Sequence, residues 1–416
     1  MEIESGLQAP ASARWEFNPF DPAFRADPHP TYDRLRAETP YLRTLGAVVL
    51  TQYDSVMEVL KSRSFSVAVI PATISEHAAK QGFRGIELVE RLVRKLIVFT
   101  DNPDHARLRR LVNQAYTPAM IEELSGRIER EVAHLIDRVA AAGTMDLVRD
   151  LAAPLPLNVL CDWMGVPSPE RSYIGPRVHV ARMLLDPGLM TRGKFRSVLA
   201  AVHELSEYFS GRVAAAARSG EDTLVARLSQ ARSDDDRLTD EEVAFACIMS
   251  FVAGNETTQS LIGNTVNTLL KFPDQLRRVQ RDRSLLTAAV EETLRFEPPV
   301  QMTKREAITT VDIGDCVLRE GDQVLLCLAA ANRDPRRFSN PHRYDLSRGG
   351  PAHVGFGYGM HACLGGLLAR RQAEIVLDAL VTRFATIERA DGVEAWQTHS
   401  LILRGLDTLP IRFSLQ

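Results

Sequence analysis

Phe356-Gly357-Tyr358-Gly359-Met360-His361-Ala362-Cys363-Leu364-Gly365 is the most informative stretch of this chain. A glycine-rich loop leads to a cysteine, and the periodicity beyond it predicts a long helix over residues 363–384. The unpaired N–H groups and the dipole at a helix start favour an anion. They lower a thiol pKa and help to keep sulfur as thiolate. Glycines let the backbone approach a flat cofactor closely. Phe356 is positioned to pack beside the sulfur and exclude water. Taken alone, such a cysteine reads as a buried structural residue after an ordinary turn.

Working outward, the longest helical pattern runs from Thr239 to Phe272, with Pro273 as its stop. Thr239 and Glu242 form a capping-box pattern at its start. At 1.5 Å per residue it is about 50 Å long. Its first half is apolar on nearly every face, so it is expected in the middle of the protein. Within it, Ala253-Gly254-Asn255-Glu256-Thr257-Thr258 contains poor residues for a helix centre, and a local break opening a groove is expected there. The residue-level alternative is a tolerated polar patch between packed helices.

Thr117 and Pro118 start another helix, with Ile121, Leu124, Ile128, Val132, Leu135 and Val139 on one face. Residues 162–220 read as mostly helical with a break near Asp186, Pro187 and Gly188, and residues 284–296 as a further helix. Residues 233–237 read as an acidic loop. Short strands are expected at 47–51, 311–322 and 324–327, and residues 62–100 give no clear assignment. Residues 1–18 are expected to be a flexible segment and 19–416 a single domain. The fold class is mainly α with a minor β subdomain.

Hydrophobic residues make up 45% and charged residues 25% of the 416, an ordinary globular composition. The formal charge of -3 argues against a general nucleic-acid binder. The five cysteines, at 161, 247, 316, 327 and 363, show no C-x-x-C spacing, so neither a disulfide framework nor a structural zinc site is expected. No signal peptide and no membrane span is visible, and a cytoplasmic protein is expected.

Two more clusters carry charge at helical spacing. Glu292 and Arg295 stand at i and i+3, which alone is usually a surface ion pair. His105 and Arg109 stand at i and i+4 after Asp101, Pro103 and Asp104, which alone reads as a solvated basic face.

Together these segments resemble the cytochrome P-450 family, the haem-thiolate monooxygenases. The 356–365 stretch matches the family signature at every fixed position, and the resemblance runs from about residue 19 to the C-terminus. Alanine 331 to proline 335, Ala-Asn-Arg-Asp-Pro, matches a further recurrent segment. The family fold holds haem b (iron protoporphyrin IX) between the long central helix and the helix of the cysteine ligand. The resemblance implies that Cys363 is the axial iron ligand, within a cofactor loop that includes Phe356, Gly357, His361 and Gly365. It implies that His105, Arg109, Arg305 and His361 face the haem propionates, as carboxylates require cationic partners. Glu256 and Thr257 match the family's acid–alcohol pair, which delivers protons to dioxygen. Gly254 leaves room for dioxygen. Glu292 and Arg295 lock the coil before the thiolate loop, with Arg337 or Arg343 as the third member.

The implied activity is hydroxylation or epoxidation of an apolar, medium-to-large small molecule, such as a secondary metabolite. Electrons are implied to come from NAD(P)H through a ferredoxin reductase and a ferredoxin. Arg109, Arg110, Arg336, Arg337, Arg370 and Arg371 are the candidate docking cations. Family positions place Val67, Val69, Met183, Met249, Val252, Ala253, Val300, Met302 and Leu401 along the substrate pocket. His179 and Arg182 are read as facing water. Three rivals compete: a haem-thiolate peroxygenase, isomerase or dehydratase; a haem-based gas sensor; and a helical binding protein without haem. The presence of Glu256 and Thr257 weighs against the first, and no output module supports the second.

Overall fold

The central helix, Asp240–Lys271, is the axis about which the other elements pack. Its start follows from sequence chemistry. The Glu242 N–H donates to Thr239 Oγ1 at 3.2 Å, and the Thr239 N–H donates to Glu242 Oε2 at 3.0 Å. Twenty of its residues are buried, from Glu242 to Leu269. This computed structural model describes residues 17–233, 236–392 and 394–416. The N-terminal segment expected to be loose lies outside the described residues as far as residue 16.

Helix Pro118–Ala140 packs on Pro154–Trp163 and Gly366–Arg383, which together with Arg192–Ser219 and Leu286–Phe296 pack on this axis. The first of these buries Ile121, Leu124, Ile128, Val132 and Leu135, the face that the periodicity predicts. Thr117 caps it by accepting from the Met120 N–H at 3.3 Å. The expected break at 186–188 is present as two short 3₁₀ turns, Arg182–Leu185 and Pro187–Leu189. Among the described residues, no helix is long and apolar enough to cross a membrane.

The β part is smaller. One sheet has the order Tyr41–Thr44, Ala47–Leu50, Gln323–Cys327, Met302–Ala307, Phe65–Ser66. Its strands are antiparallel except for the parallel pair of Ala47–Leu50 with Gln323–Cys327. A second sheet joins Phe384–Arg389, Pro410–Leu415 and Thr144–Asp146.

Four expectations need correction. The unassigned region holds helices Val69–Lys80 and Glu87–Lys95. The expected acidic loop is a short hairpin of Arg232–Ser233 with Asp236–Arg237, its tip outside the described residues. The central helix is continuous through residues 251–258, and Thr257 Oγ1 bonds back to the Ala253 carbonyl at 2.5 Å without breaking it. The last long helix begins at Gly366, three residues after Cys363. The cysteine N–H instead donates to the Phe356 carbonyl at 2.9 Å, which closes a turn.

Candidate haem-thiolate site

The turn holding Cys363 depends on glycines at two positions. Gly357 and Gly359 have φ of +67° and +73°, a conformation that L side chains rarely adopt. A Cβ on Gly359 would also lie 2.7 Å from the Leu60 carbonyl oxygen, so the loop can rest on the end of helix Tyr53–Lys61 only without a side chain there. Cys363 itself is exposed at its surface. The surrounding protein pushes its thiol up by desolvation, and a bond from the Gly365 N–H with the charges of Arg109 and Arg370 opposes that rise. A specific N–H thus replaces the helix-start effect expected from the sequence.

Glu292 and Arg295 form the core of a buried network. The guanidinium of Arg295 pairs with both carboxylate oxygens of Glu292 at 2.8 Å. Its remaining N–H groups donate to the carbonyls of Asn332, Pro341 and Arg343 at 3.0, 3.0 and 3.1 Å. The third arginine is Arg348, whose Nε lies 2.9 Å from Glu292 Oε1. Neither expected candidate fills that place. Arg337 pairs with Asp54, and Arg343 contributes only its carbonyl. Asn332 extends the network to the cysteine loop by accepting from the Val354 N–H at 2.7 Å.

A residue that the sequence left aside, Glu291, braces the loop from the other side. It pairs with Arg370 and with His353 Nε2 at 3.0 Å. The Arg370 guanidinium stacks 4.5 Å from the centre of the Phe356 ring. Burial pushes the Glu291 carboxyl up, and His353 and Arg370 outweigh it, leaving it at about 2.

His105, Arg109, Arg305 and His361 come together from three separate segments. The His105 and His361 ring centroids are 4.2 Å apart. His105 Nε2 and His361 Nδ1 are buried and have no hydrogen-bond partner among the described residues. Arg305 Nη1 bonds only Thr303 Oγ1 and the Lys304 carbonyl, at 3.1 and 2.7 Å. No carboxylate pairs with any of the four among the described residues. Burial lowers all of them, and His361, also facing His105 and Arg305, falls to about 3. The nearby Asp101 is engaged by Ser66 Oγ and the Val67 N–H, at 2.5 and 3.1 Å. Buried donors without acceptors are costly, and a ligand bearing two carboxylates would satisfy them. This donor set, beside an accessible cysteine sulfur, fits haem.

On the central helix, Thr257 is half-buried and Glu256 buried. Glu256 Oε1 lies 2.8 Å from His179 Nδ1 and 2.6 Å from Arg182 Nε. The expectation that Arg182 faces water is therefore corrected: only 5% of its surface is exposed. His179 is exposed yet bound to the same acid. A Cβ on Gly254 would lie 3.4 Å from Leu160, so its small size also serves close packing against helix Pro154–Trp163.

The expected pocket residues fall into two groups. Met183, Met249 and Val252 belong to or pack against the main core, and Ala253 lies half-buried beside them on the central helix. Val300 and Met302 lie against the 401–403 loop: Val300 bridges Leu403, and the Gln301 N–H donates to the Ile402 carbonyl at 2.8 Å. The Leu401 N–H donates to Asp186. Val67 and Val69 are buried near the short strand Phe65–Ser66.

The family model described as Cytochrome P-450 matches residues 191–404. Cytochrome P-450 107B1 of Saccharopolyspora erythraea is 37% identical over 406 residues, covering 94% of this chain and 96% of that protein. The 6-deoxyerythronolide B hydroxylase of the same organism is 35% identical, covering 94% and 97%. The crystal structure of CalO2 superposes with a TM-score of 0.88 at 32% identity, covering 96% of this chain and 98% of that one. The chain belongs to the cytochrome P-450 family. It is a haem-thiolate monooxygenase, whose reaction takes dioxygen, a substrate and electrons from a redox partner.

Proposed function

We propose that this protein hydroxylates or epoxidises an apolar, medium-to-large secondary metabolite in the cytoplasm, with residues 19–416 acting as one catalytic domain. The names of its relatives, among them a 6-deoxyerythronolide B hydroxylase, support a macrolide-like or polyketide-like substrate. The apolar character of Val67, Val69, Met183, Met249, Val252, Ala253, Val300, Met302 and Leu401 supports the same reading. The observation that carries the site assignment is the cluster of buried, unpartnered imidazoles and half-buried arginines beside the Cys363 turn.

In this reading Cys363 ligates the iron. His105, Arg109, Arg305 and His361 hold the propionates. Bound haem supplies the redox centre at which dioxygen is reduced and one oxygen atom is transferred. The chain's residues then orient substrate, exclude water and move protons. Thr257 would act as a hydrogen-bond donor and pass on a proton once its hydroxyl turns away from the Ala253 carbonyl. Glu256 passes protons to it. Alanine at 257 is expected to leave substrate binding unchanged while product formed per NAD(P)H falls by about tenfold or more, the balance appearing as hydrogen peroxide. Tight coupling in that variant would remove Thr257 from the proton path. Titrating the protein with macrolactones and with other apolar metabolites, and following the haem spin-state shift, tests the substrate class. The reading predicts a shift with the former; none with any macrolactone or polyketide would overturn the class.

A ferredoxin and its NAD(P)H-dependent reductase are the proposed electron donors. The expected docking cations are mostly engaged already: Arg336 pairs with Asp334, Arg337 with Asp54, and Arg370 with Glu291. Arg371 bonds Ser125 and lies 3.9 Å from Glu122. Arg110 is exposed at the end of helix Asp104–Asn113 and is the cleanest target. Charge reversal, Arg110→Glu, is expected to slow reduction by an acidic ferredoxin and to weaken its salt dependence. A stopped-flow reduction rate equal to the parent's at low and high salt would rule this residue out.

A further inference from the structure

We propose that His179 and His399 form the solvent entrance through which Glu256 is reloaded with protons, an inference that rests on the proton-delivery role given to Glu256 above. Two segments distant in sequence from the central helix and from each other converge on this one carboxylate. His179 projects from helix Arg171–Ala181, Arg182 follows that helix directly, and His399 lies in the loop before strand Leu406–Thr408.

The geometry separates the roles of the three cations. Arg182 is buried and sits 2.6 Å from Oε1, a fixed charge beside the acid inside the protein. His179 Nδ1 contacts the same oxygen at 2.8 Å, while 62% of its side-chain surface faces solvent. His399 Nε2 stands 3.7 Å from Oε2. Both of those atoms are buried, and neither has a hydrogen-bond partner among the described residues. The two rings are 6.0 Å apart. A charged His399 would close the gap on Oε2.

Burial pushes the Glu256 carboxyl up, and the two histidines with Arg182 hold it at about 2. The His179 ring is the solvent-exposed donor in direct contact with this carboxylate, and His399 stands 3.7 Å from its other oxygen. The transfer involves no change in electron count. A solvent proton binds His179 Nε2, the Nδ1 proton moves to Glu256 Oε1, and the exposed ring, left with its proton on Nε2, returns to the Nδ1–H form by exchange with solvent. Glu256 returns to its carboxylate when it gives that proton towards Thr257. Imidazole suits the task because it changes charge between pH 5 and 8.

The groups facing the rings are Glu256 from the central helix, Arg182 from the turn, and each other. Asp186 on the same turn is engaged by Ser400 Oγ at 3.0 Å and the Leu401 N–H at 2.6 Å. That contact fixes the loop carrying His399 against the turn that follows His179. His179 and His399 do not touch reacting atoms; they act by positioning and reloading Glu256.

The test uses the haem-loaded enzyme with its redox partners and the variants His179→Gln, His399→Gln and the double replacement. In the parent, product per NAD(P)H is expected to fall as pH rises through the imidazole range. The double variant is expected to bind substrate normally, to yield about tenfold less product per NAD(P)H, and to lose that pH dependence. A second readout is independent of turnover. In ¹⁵N-histidine NMR spectra, the ring-nitrogen signals of both residues should move in Glu256→Gln, because the carboxylate beside them is lost. A double variant with the parent's yield and pH profile, or ring-nitrogen signals indifferent to Glu256→Gln, overturns the proposal. If Glu256→Gln uncouples the enzyme and the double variant does not, this inference fails while the role of Glu256 stands. If Glu256→Gln stays fully coupled, both fall.

Discussion

Replacing Arg295 with alanine is expected to abolish accumulation of folded, haem-loaded protein. Arg295 is 2% exposed and makes bonds to Glu292 and to three backbone carbonyls from the coil that leads to the cysteine loop. Removing one partner of a buried ion pair costs about 3–5 kcal/mol. Each buried carbonyl left without a donor adds about 1–3 kcal/mol. The total is comparable with the whole stability of a typical domain, about 5–15 kcal/mol. Arg348 still faces Glu292 and still bonds the Arg343 carbonyl, so neither is left alone, but the Asn332 and Pro341 carbonyls lose the donor that Arg295 gave them. Lysine at 295 is expected to fail as well, because an ammonium cannot form the planar fork. Near-ultraviolet circular dichroism and the ratio of haem to protein absorbance check this. A soluble Arg295→Ala protein with full haem content and the parent's melting temperature would show that the network is dispensable.

The second large effect is expected at Cys363. Serine keeps the size of the side chain but offers an oxygen that stays protonated where the thiol can ionise. The Gly365 N–H and the charges of Arg109 and Arg370 that favour a thiolate would then face a neutral hydroxyl. Thiolate ligation is what pushes electron density towards O–O cleavage. The Cys363→Ser protein is therefore expected to fold, because the Phe356 carbonyl bond comes from the backbone, but to show product formation at background level. Turnover at the parent's rate in this variant, measured with the full electron-transfer chain, would exclude Cys363 as ligand.

Much of this was readable from the sequence where local chemistry decides the outcome. The capping box at Thr239 and Glu242 and the proline after Phe272 place the central helix to within a residue or so at each end. The glycines at 357 and 359 signal a turn that the φ values require. The resemblance names Glu292 and Arg295, at i and i+3, as a pair, and the structure buries them together. Long-range pairing was not readable. Arg348 lies in an irregular coil with no period to fix its direction, so its bond to Glu292 could not be told from those available to Arg337 or Arg343. Strand Met302–Ala307 reads Met-Thr-Lys-Arg-Glu-Ala, and its charged residues hide a half-buried strand. His399 and Arg182 reach Glu256 only because the chain folds back over the central helix. Glu291 and Arg370 meet across two helices whose contact no pattern within either one reveals.

In the proposed site the Cys363 turn presents a thiolate to haem held by His105, Arg109, Arg305 and His361. The most direct measurement is the carbon monoxide difference spectrum of the reduced, purified protein. A strongly red-shifted Soret band, the mark of a carbonyl opposite thiolate, is the expected result. A band of the kind given by histidine- or thiol-ligated haem in fully folded protein, or no retained haem, would contradict it.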